Sequence, residues 1–127
     1  MRAELRPTIA ADLAELDGRP LPHRIRAVTM HAAEKVLGVG GIGYRPDGTV
    51  IAFAVLSDEA RNYPVTLHRG GLQIMRMVRE LGLPLLVAEA QADNPRAAAW
   101  LERHGFRPDV IDDKTVYVWE RNANVSA

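Results

Sequence analysis

The sequence predicts a single domain of the α/β (α+β) class, in which helices cover a mixed β-sheet. Short runs of apolar and β-branched residues, which are typical of strands, alternate with segments whose apolar residues recur at helical spacing. The elements follow the order strand, helix, three strands, helix, strand, helix and two strands. Strands that flank helices in this order imply parallel as well as antiparallel neighbours, with helices on the faces of the sheet. We therefore expect six or seven strands in one sheet.

The amino-terminal part of the chain contains the first strand and the first helix. Residues 2 to 6 form the predicted strand, and Thr8 is placed to cap a helix from Ala10 to Asp17. One face of that helix is apolar and carries Ile9, Leu13 and Leu16. The segment GRPLP, residues 18 to 22, then ends the helix.

Three consecutive strands are predicted next, and the last two of them form a hairpin. The segments are IRAVTMHA (25–32), KVLGVGGIGY (35–44) and TVIAFAVLS (49–57). The turn Pro46-Asp47-Gly48 has a physical basis, because proline presets φ, aspartate bonds back to the backbone and glycine accepts a positive φ. The run from Val50 to Leu56 belongs to the most apolar segment of the chain, so we place it at the middle of the sheet.

A long helix and a buried strand follow the hairpin. Apolar and small residues recur at helical spacing after the polar segment SDEARNYP, at Leu67, Gly71, Ile74, Val78 and Leu81. Gly82 is placed to end this helix, since glycine adopts the left-handed conformation that closes a helix. LPLLVAEA, residues 83 to 90, is the predicted buried strand.

The last helix is the most clearly framed element of the chain. In NPRAAAWLERHGF (94–106), Asn94 is the predicted cap, Pro95 takes the first helical position and Gly105 lies just past the end. Two strands, 106–110 and 115–119, complete the sheet. The domain is expected to span residues 1–121, with a flexible tail at 122–127.

Composition excludes several classes of function. The chain has 127 residues, 47% of them apolar, and its 16 basic residues balance 16 acidic ones, so no overall field attracts nucleic acid or anionic lipid. The absence of cysteine excludes disulfides, thiolate metal sites and a cysteine nucleophile. The amino terminus lacks a continuous hydrophobic segment, so we predict neither a signal peptide nor a membrane span, and expect a cytoplasmic protein.

The stretch from Leu85 to Phe106 resembles the second half of the GCN5-related N-acetyltransferase (GNAT) family. Gly82 precedes Asn94 by twelve positions, as the helix-ending glycine precedes the asparagine in the family, and Ala97 and Gly105-Phe106 also fall at the family's positions. The order of elements matches over nearly the whole chain. The resemblance implies a GNAT-like sheet that splays beside the strand following Gly82.

The resemblance also implies an activity. GNAT proteins bind acetyl-CoA in the splay and transfer its acetyl group to an amine of a small molecule or peptide. Backbone N–H groups near Val55, Leu56 and Ser57 would hold the carbonyl oxygen and the pantetheine arm, and Asn94 would lie beside the cofactor. Because the chain has no cysteine, the amine would attack the thioester directly.

Two features depart from the family pattern. The pyrophosphate loop, which has spaced glycines in the family, corresponds to NYPVTL at Asn62 to Leu67 and contains no glycine. The family's tyrosine general acid corresponds to Leu101, which has no proton to give, and the neighbouring Trp100 carries only a nonacidic N–H. The short chain and the ending WLERHGF are similar to small phage-encoded GNAT-like proteins, some of which are virion components.

Basic side chains surround the degenerate loop and the helix after it, and only Glu80 offsets them: Arg61, His68, Arg69, Arg76 and Arg79. Positive charge in a first helical turn opposes the helix dipole, which suggests an anion such as a coenzyme A phosphate as partner. A solvated basic face is the alternative interpretation. Gly70-Gly71 forms either a displaced phosphate cradle or, as we favour for Gly71, a close contact of the helix with the sheet.

Candidates for the general base are His31, Asp58 and Glu59, although their spacing forms no motif and each also fits a structural or solvated position. Glu89 lies in the predicted fifth strand and faces either the acceptor or the outer edge of the sheet. The remaining histidines lack metal-site spacing, so we predict no metal. The glycines from Gly38 to Gly43 have no helix after them and indicate a twisted or bulged strand.

Two functions are therefore compatible with the sequence. The first is an acetyl-CoA-dependent N-acetyltransferase with a degenerate pyrophosphate loop. The second is a GNAT-shaped protein without catalytic activity that serves in binding or assembly, for example in a phage particle or a toxin-neutralising complex. A homo-oligomer is also compatible with the sequence. A fold does not entail an activity, so the site must decide between them.

Overall fold

The computed structural model describes residues 2–16, 24–88 and 95–121, which form three helices, a 3₁₀ turn and one seven-stranded sheet. The strands are β1 (Ala3–Pro7), β2 (Arg24–Ala32), β3 (Lys35–Tyr44), β4 (Val50–Leu56), β5 (Leu85–Ala88), β6 (Arg107–Ile111) and β7 (Lys114–Glu120). The helices are α1 (Ala10–Leu16), α2 (Pro64–Glu80) and α3 (Pro95–Arg103), and the 3₁₀ turn is Asp58–Asn62. The predicted fold class and element order are confirmed.

The sheet is mixed, with the strand order β1-β2-β3-β4-β5-β7-β6. All neighbours are antiparallel except β4 and β5, which pair in parallel at Ile51↔Val87 and Ala52↔Ala88. A parallel pair requires a crossover connection, and α2 is that connection. β4 continues four residues beyond Ala52, but the chain that would face it from β5 lies outside the described residues, so the splay stays a prediction.

The first helix is capped differently from the sequence-based expectation. The Thr8 hydroxyl bonds the Thr29 hydroxyl at 2.8 Å, and it is the Asp12 carboxylate that accepts the Ile9 N–H at 2.9 Å. An acid in the first helical turn can reach back to an N–H before the helix in this way. The Thr8 cap is therefore wrong, because its hydroxyl is part of a hydrogen-bond chain to β2.

The hairpin of β3 and β4 forms around the predicted turn. Arg45 and Thr49 close it with an N–H to carbonyl bond of 2.9 Å, the Asp47 carboxylate accepts the Thr49 N–H at 2.9 Å, and Gly48 has a φ of 90°. β3 also shows the predicted irregularity, since the β2–β3 register shifts between Met30 and His31. The hairpin places β4 at the centre of the sheet, as expected.

The core consists of two clusters that α2 connects. The larger includes Ile42, Met75, Val78, Leu86, Ala88, Leu101, Phe106 and Trp119, and the smaller includes Ala3, Met30, Ala32, Leu37 and Ala60. Leu67 packs on the smaller cluster, Ile74 packs on the larger one and Val78 belongs to it, so the predicted apolar face of α2 is buried over these positions. Leu81, predicted on the same face, is exposed and follows the end of α2.

Gly71 allows α2 to approach a neighbouring element closely, but that element is the α3 segment rather than the sheet. A methyl group at this position would lie 2.6 Å from both the Trp100 ring and His104 Nε2 of the α3 segment. The expectation that Gly71 brings α2 close to the sheet is therefore wrong. Only a residue without a side chain lets the two helices approach this closely.

The end of α3 agrees with its sequence signature. Gly105 has a φ of 95°, and the Phe106 N–H donates to the Leu101 carbonyl at 3.0 Å, which are features of a helix closed by a left-handed residue. α3 also begins at Pro95 as predicted. Asn94, the predicted cap, and the tail at 122–127 lie outside the described residues.

Candidate functional site

The carboxyl end of the central strand β4 is the centre of the candidate site. The Ser57 N–H donates to the Leu37 carbonyl at 2.8 Å, so it is directed toward β3 and is already used. Ladder bonds alternate along an antiparallel strand, which directs the N–H of Leu56 away from β3 and toward the β5 side. Of the expected donors, Leu56 is therefore the one oriented to meet a ligand beside β5, whereas Ser57 and, by alternation, Val55 are turned toward β3.

Ser57 contributes a second feature through its side chain. Its Oγ is buried and has no hydrogen-bond partner in the part of the chain that the structure describes. A buried hydroxyl is ordinarily paired, and unpaired ones need an explanation. A ligand with a hydrogen-bonding group near the end of β4 would provide one.

The start of α2 lies directly after the 3₁₀ turn and is open to an anion. Tyr63 occupies the N-cap position without a side-chain cap, Pro64 has no N–H, and the first turn contains no acidic residue. The Leu67 N–H donates to the Tyr63 carbonyl at 3.0 Å. The N–H groups of Val65 and Thr66 come earlier in the helix, where an α-helix provides no carbonyl to pair with them. Such donors, together with the helix dipole, stabilise a negatively charged ligand, even though this segment lacks the glycines of the family's pyrophosphate loop.

The charged residues of the turn pair with each other. Arg61 bonds the Asp58 carbonyl at 3.1 Å and its carboxylate at 3.4 Å, and both side chains are largely exposed. Glu59 forms an ion pair with Lys35, which raises the pKa of the lysine. These exposed pairs are readily broken, because solvent and salt screen them.

A shallow depression of about 550 Å³ adjoins the turn. It contains three carboxylates and one lysine, and its lining includes Glu15, Glu34, Lys35, Glu59 and Tyr63. The Glu15 carboxylate accepts the Val36 N–H at 2.8 Å, which fixes that wall of the depression against β3. The excess of carboxylates is suited to a cationic amine.

The other predicted residues are not gathered at one point. His68 is exposed on α2, 5.5 Å from the ring of His104, and Arg69 lines a separate depression between α2 and Leu5 of β1, together with Arg76. Gly70 lies in the second turn of α2, buried beside Leu5, so it is displaced from the start of the helix where a phosphate cradle would form.

Four more positions from the sequence analysis are His31, Leu101, Glu89 and Asn94. His31 lies in β2, and its Nδ1 is 3.1 Å from the Ala33 carbonyl, a local contact at the β2–β3 turn. Leu101 is buried in the larger core cluster, so the family's general-acid position is a packing position here. Glu89 and Asn94 lie outside the described residues.

Two polar groups were missed by the sequence analysis. Asp12 is buried among Arg6, Thr29 and the Ile9 N–H, and His104 is buried between α2 and α3. The only sequence signal for Asp12 was its place in the first turn of α1. His104 falls in the turn that ends α3, where a histidine is usually exposed to complement the helix dipole.

The described residues contain no group of three or more metal-ligating side chains, and no described helix is long and apolar enough to cross a membrane.

Comparison with known proteins supports the fold. No protein-family model matches the chain, and a search of curated proteins gives no significant match. Solved structures do match. The ribosomal-protein-S18-alanine N-acetyltransferase from Escherichia coli superposes with a TM-score of 0.70 at 12% identity, over 94% of each chain.

Two other solved structures agree with this result. A GNAT-family protein from Desulfovibrio desulfuricans has a TM-score of 0.70 at 16% identity, over 94% of this chain and 99% of its own. The PaiA N-acetyltransferase from Thermoplasma acidophilum, in complex with coenzyme A, has a TM-score of 0.61 at 11% identity, over 76% of this chain and 60% of its own. The chain thus has the GNAT fold, and the resemblance noted in the sequence is confirmed at that level.

Proposed function

We propose that the protein is an acyl-CoA-dependent N-acyltransferase that moves an acetyl group from acetyl-CoA to an amine. The observation that carries the proposal is the end of β4, where the Leu56 N–H is directed to the β5 side and the chain continues through the 3₁₀ turn to the uncapped start of α2. A solved neighbour with the same fold holds coenzyme A. The free donors and the unpaired Ser57 hydroxyl fit a ligand that combines a carbonyl group with phosphates.

Each part of the site has a distinct role in this proposal. Acetyl-CoA supplies a thioester whose carbon forms a bond to the amine nitrogen while its bond to sulfur breaks, and coenzyme A leaves as a thiolate that takes a proton from water. The Leu56 N–H stabilises negative charge on the carbonyl oxygen, and the Ser57 hydroxyl orients the ligand beside β4. No cysteine is present in the chain, so the amine attacks the thioester directly.

The amine must lose a proton, and the depression beside the 3₁₀ turn supplies the groups for this step. Glu59 lines it and Asp58 is its neighbour in the chain, so either carboxylate takes the proton directly or through water. His31 is a weaker candidate, since its ring is occupied by the local contact with Ala33. Glu89 remains a candidate on the basis of the sequence alone.

The phosphates of coenzyme A would lie at the start of α2. The N–H groups of Val65 and Thr66 point toward them, and Arg61 supplies positive charge once it leaves Asp58. His68 and Arg69 extend along the helix from that end. Asn94 remains a cofactor-binding candidate on the basis of the sequence alone. Gly70 has no part in this arrangement.

A second function is favoured by two specific observations. Leu101 is a core residue where the family has its acid, and Pro64 begins α2 where the family has glycine-rich backbone. Both fit a GNAT-shaped protein that has lost the reaction and acts as a homo-oligomer or as an assembly component of a phage particle. The proposed enzyme, by contrast, would act in the cytoplasm on a small molecule or peptide, without nucleic-acid or membrane partners.

Calorimetric titration of the full chain with acetyl-CoA and with free coenzyme A separates the two functions. The enzyme predicts saturable binding of both at low ionic strength, followed by release of free thiol when a panel of amines is added to acetyl-CoA. Saturable binding without thiol release would assign the site to cofactor binding alone. Absence of binding to either ligand would reject the acyltransferase in favour of the assembly protein.

A further inference from the structure

His104 is the buried ionisable side chain at the contact between α2 and the end of α3. It is 9% exposed, its ring centroid lies 4.4 Å from that of Trp100, and the ring of His68 on α2 is 5.5 Å away. The backbone of α2 approaches the imidazole closely at Gly71, where any side chain would collide with His104 Nε2. The His104 imidazole and the Trp100 ring therefore both pack against α2 at Gly71.

The surroundings of His104 accept a neutral ring and oppose a charged one. Its Nε2 is buried and has no hydrogen-bond partner among the described residues. The titratable and charged groups that act on the ring are His68 from α2 and Arg103 from α3, and both are positive or become so on protonation. Neither helix places a described carboxylate in hydrogen-bond contact with the ring to offset an imidazolium charge.

We infer that the contact between α2 and α3 is an acid-sensitive switch, in which protonation of His104 separates the carboxyl-terminal part of α3 from α2. An imidazolium in this position would carry an unpaired N–H against the Gly71 backbone, next to a second histidine and an arginine. Moving the ring to water restores its hydration, and this movement requires the two helices to part. The inference concerns a regulatory device of the fold and does not depend on the proposed acetyl transfer.

The direction of the pH response follows from the environment of the ring. Burial, followed by the charges of His68 and Arg103, lowers the pKa of His104 below its ordinary value of 6.5. The unfolded or opened chain then binds a proton more readily than the closed one. The contact is at full strength above about pH 6.5. As the pH falls from there toward the pKa of His104 in the closed state, the equilibrium constant for closing the contact decreases by about tenfold for each pH unit.

Amide hydrogen exchange on the full chain measures the opening directly. Exchange is recorded between pH 7.5 and pH 5 and corrected for the intrinsic pH dependence of exchange, and the C2–H resonance of His104 is followed in parallel by NMR. We expect the amides of α3 to lose protection progressively as the pH falls below about 6.5, and the loss to level off at the pH where the His104 resonance titrates, while those of β2 and β3 change little. Protection of α3 that is independent of pH while His104 titrates would overturn the inference.

Two variants identify the group that senses the proton. His104→Gln keeps a neutral polar side chain of similar size that cannot titrate, so its α3 amides should stay protected at low pH. His68→Gln removes one opposing charge, so the acid response should persist and move to higher pH. An unchanged response in His104→Gln, or loss of the response in His68→Gln, would show that His104 is not the sensor. If His104→Gln does not fold, the wild type decides the question, because its loss of α3 protection should end at the pH where the His104 resonance titrates.

Discussion

Asp12 of α1 and Arg6 of β1 form a two-point ion pair, with Nη2 to Oδ1 at 2.7 Å and Nη1 to Oδ2 at 2.8 Å. The Thr29 hydroxyl and the Ile9 N–H also donate to Oδ2, at 2.8 and 2.9 Å. Asp12 is 2% exposed, so its carboxylate has exchanged hydration for four protein donors. Three separate elements, β1, α1 and β2, are joined at this one side chain.

Removal of the carboxylate should therefore destabilise the fold. We expect Asp12→Ala to lower the free energy of unfolding by roughly 2 to 3 kcal/mol, because Thr29 and the Ile9 N–H lose a buried acceptor and half-buried Arg6 loses its partner. Urea denaturation measures the change, and Glu4→Ala, at an exposed position of β1, is the matched control. Equal stability of the two variants would contradict a structural role for the pair.

The same carboxylate should make stability depend on pH in the acidic range. The hydrogen bond from Arg6, and with it the bonds from Ile9 and Thr29, lowers the pKa of Asp12 from 3.8 to about 2. A lowered folded-state pKa gives stability that is complete above about pH 4 and is lost as the pH falls toward 2. Urea midpoints of the wild type should decline across this window, and those of Asp12→Asn should decline less. Parallel curves for the two proteins would place the acid sensitivity elsewhere.

Two adjacent glycines of α2 should respond in opposite directions to alanine. At Gly71 the added methyl group would lie 2.6 Å from the Trp100 and His104 rings, and we expect Gly71→Ala to cost about 1 to 3 kcal/mol. At Gly70 it would meet only Leu5 at 3.6 Å, so the helix propensity of alanine should stabilise by up to about 1 kcal/mol. Thermal melts of both variants test the contrast, which fails if Gly71→Ala is as stable as Gly70→Ala.

Much of the fold was predictable because its signals are local. Pro46-Asp47-Gly48, Gly82 and Gly105 each require a backbone conformation that few residues adopt, and the turn and both helix ends occur where those residues stand. The apolar face of α2 was likewise evident from residue spacing. The cap of α1 was not evident, because Thr8 and Asp12 carry side chains that can each cap a helix. In the structure both side chains bond Thr29 of β2, a strand distant in the sequence, so local spacing does not distinguish them.

The candidate site was harder to predict because it depends on register. The sequence predicts a Ser57 N–H that is available to a ligand, yet the pairing of β3 with β4 uses that N–H. The same pairing leaves the Leu56 N–H directed to the β5 side. Arg61 and Arg69 are eight residues apart in the sequence, and the structure gives them different neighbours: Asp58 for the first, and a depression beside Leu5 of β1 for the second. Likewise, only tertiary packing shows that His104 is buried.

The turn between β6 and β7 offers a stabilising change. Asp112 and Asp113 connect the paired residues Ile111 and Lys114, and both have a positive φ, 50° and 64°. Two-residue hairpin turns with this backbone favour glycine at the second position. We expect Asp113→Gly to raise the free energy of unfolding by about 0.5 kcal/mol, and Asp109→Gly, within β6, to lower it. A loss of stability in Asp113→Gly would contradict this backbone assignment.

The final prediction concerns the charges that would bind coenzyme A. If Arg61 and Arg69 neutralise its phosphates at the start of α2, Arg69→Ala should weaken binding by roughly 1 to 3 kcal/mol, and affinity should fall as salt screens the charges. Asp58→Ala should strengthen binding, because it removes the carboxylate that competes for Arg61 and leaves only the bond to the backbone carbonyl of residue 58. Arg79→Ala is the matched control, since it removes the same charge in the last turn of the same helix.

Titrations of these variants at two ionic strengths measure each effect, and thermal melts check that the exposed substitutions leave the fold intact. Equal weakening by Arg69→Ala and Arg79→Ala would indicate a general effect of charge rather than a phosphate site at the start of α2. Binding that Asp58→Ala leaves unchanged would mean that Arg61 does not reach the ligand. If the wild type itself binds neither acetyl-CoA nor coenzyme A at low salt, the arginines form a solvated face and the acyltransferase is rejected.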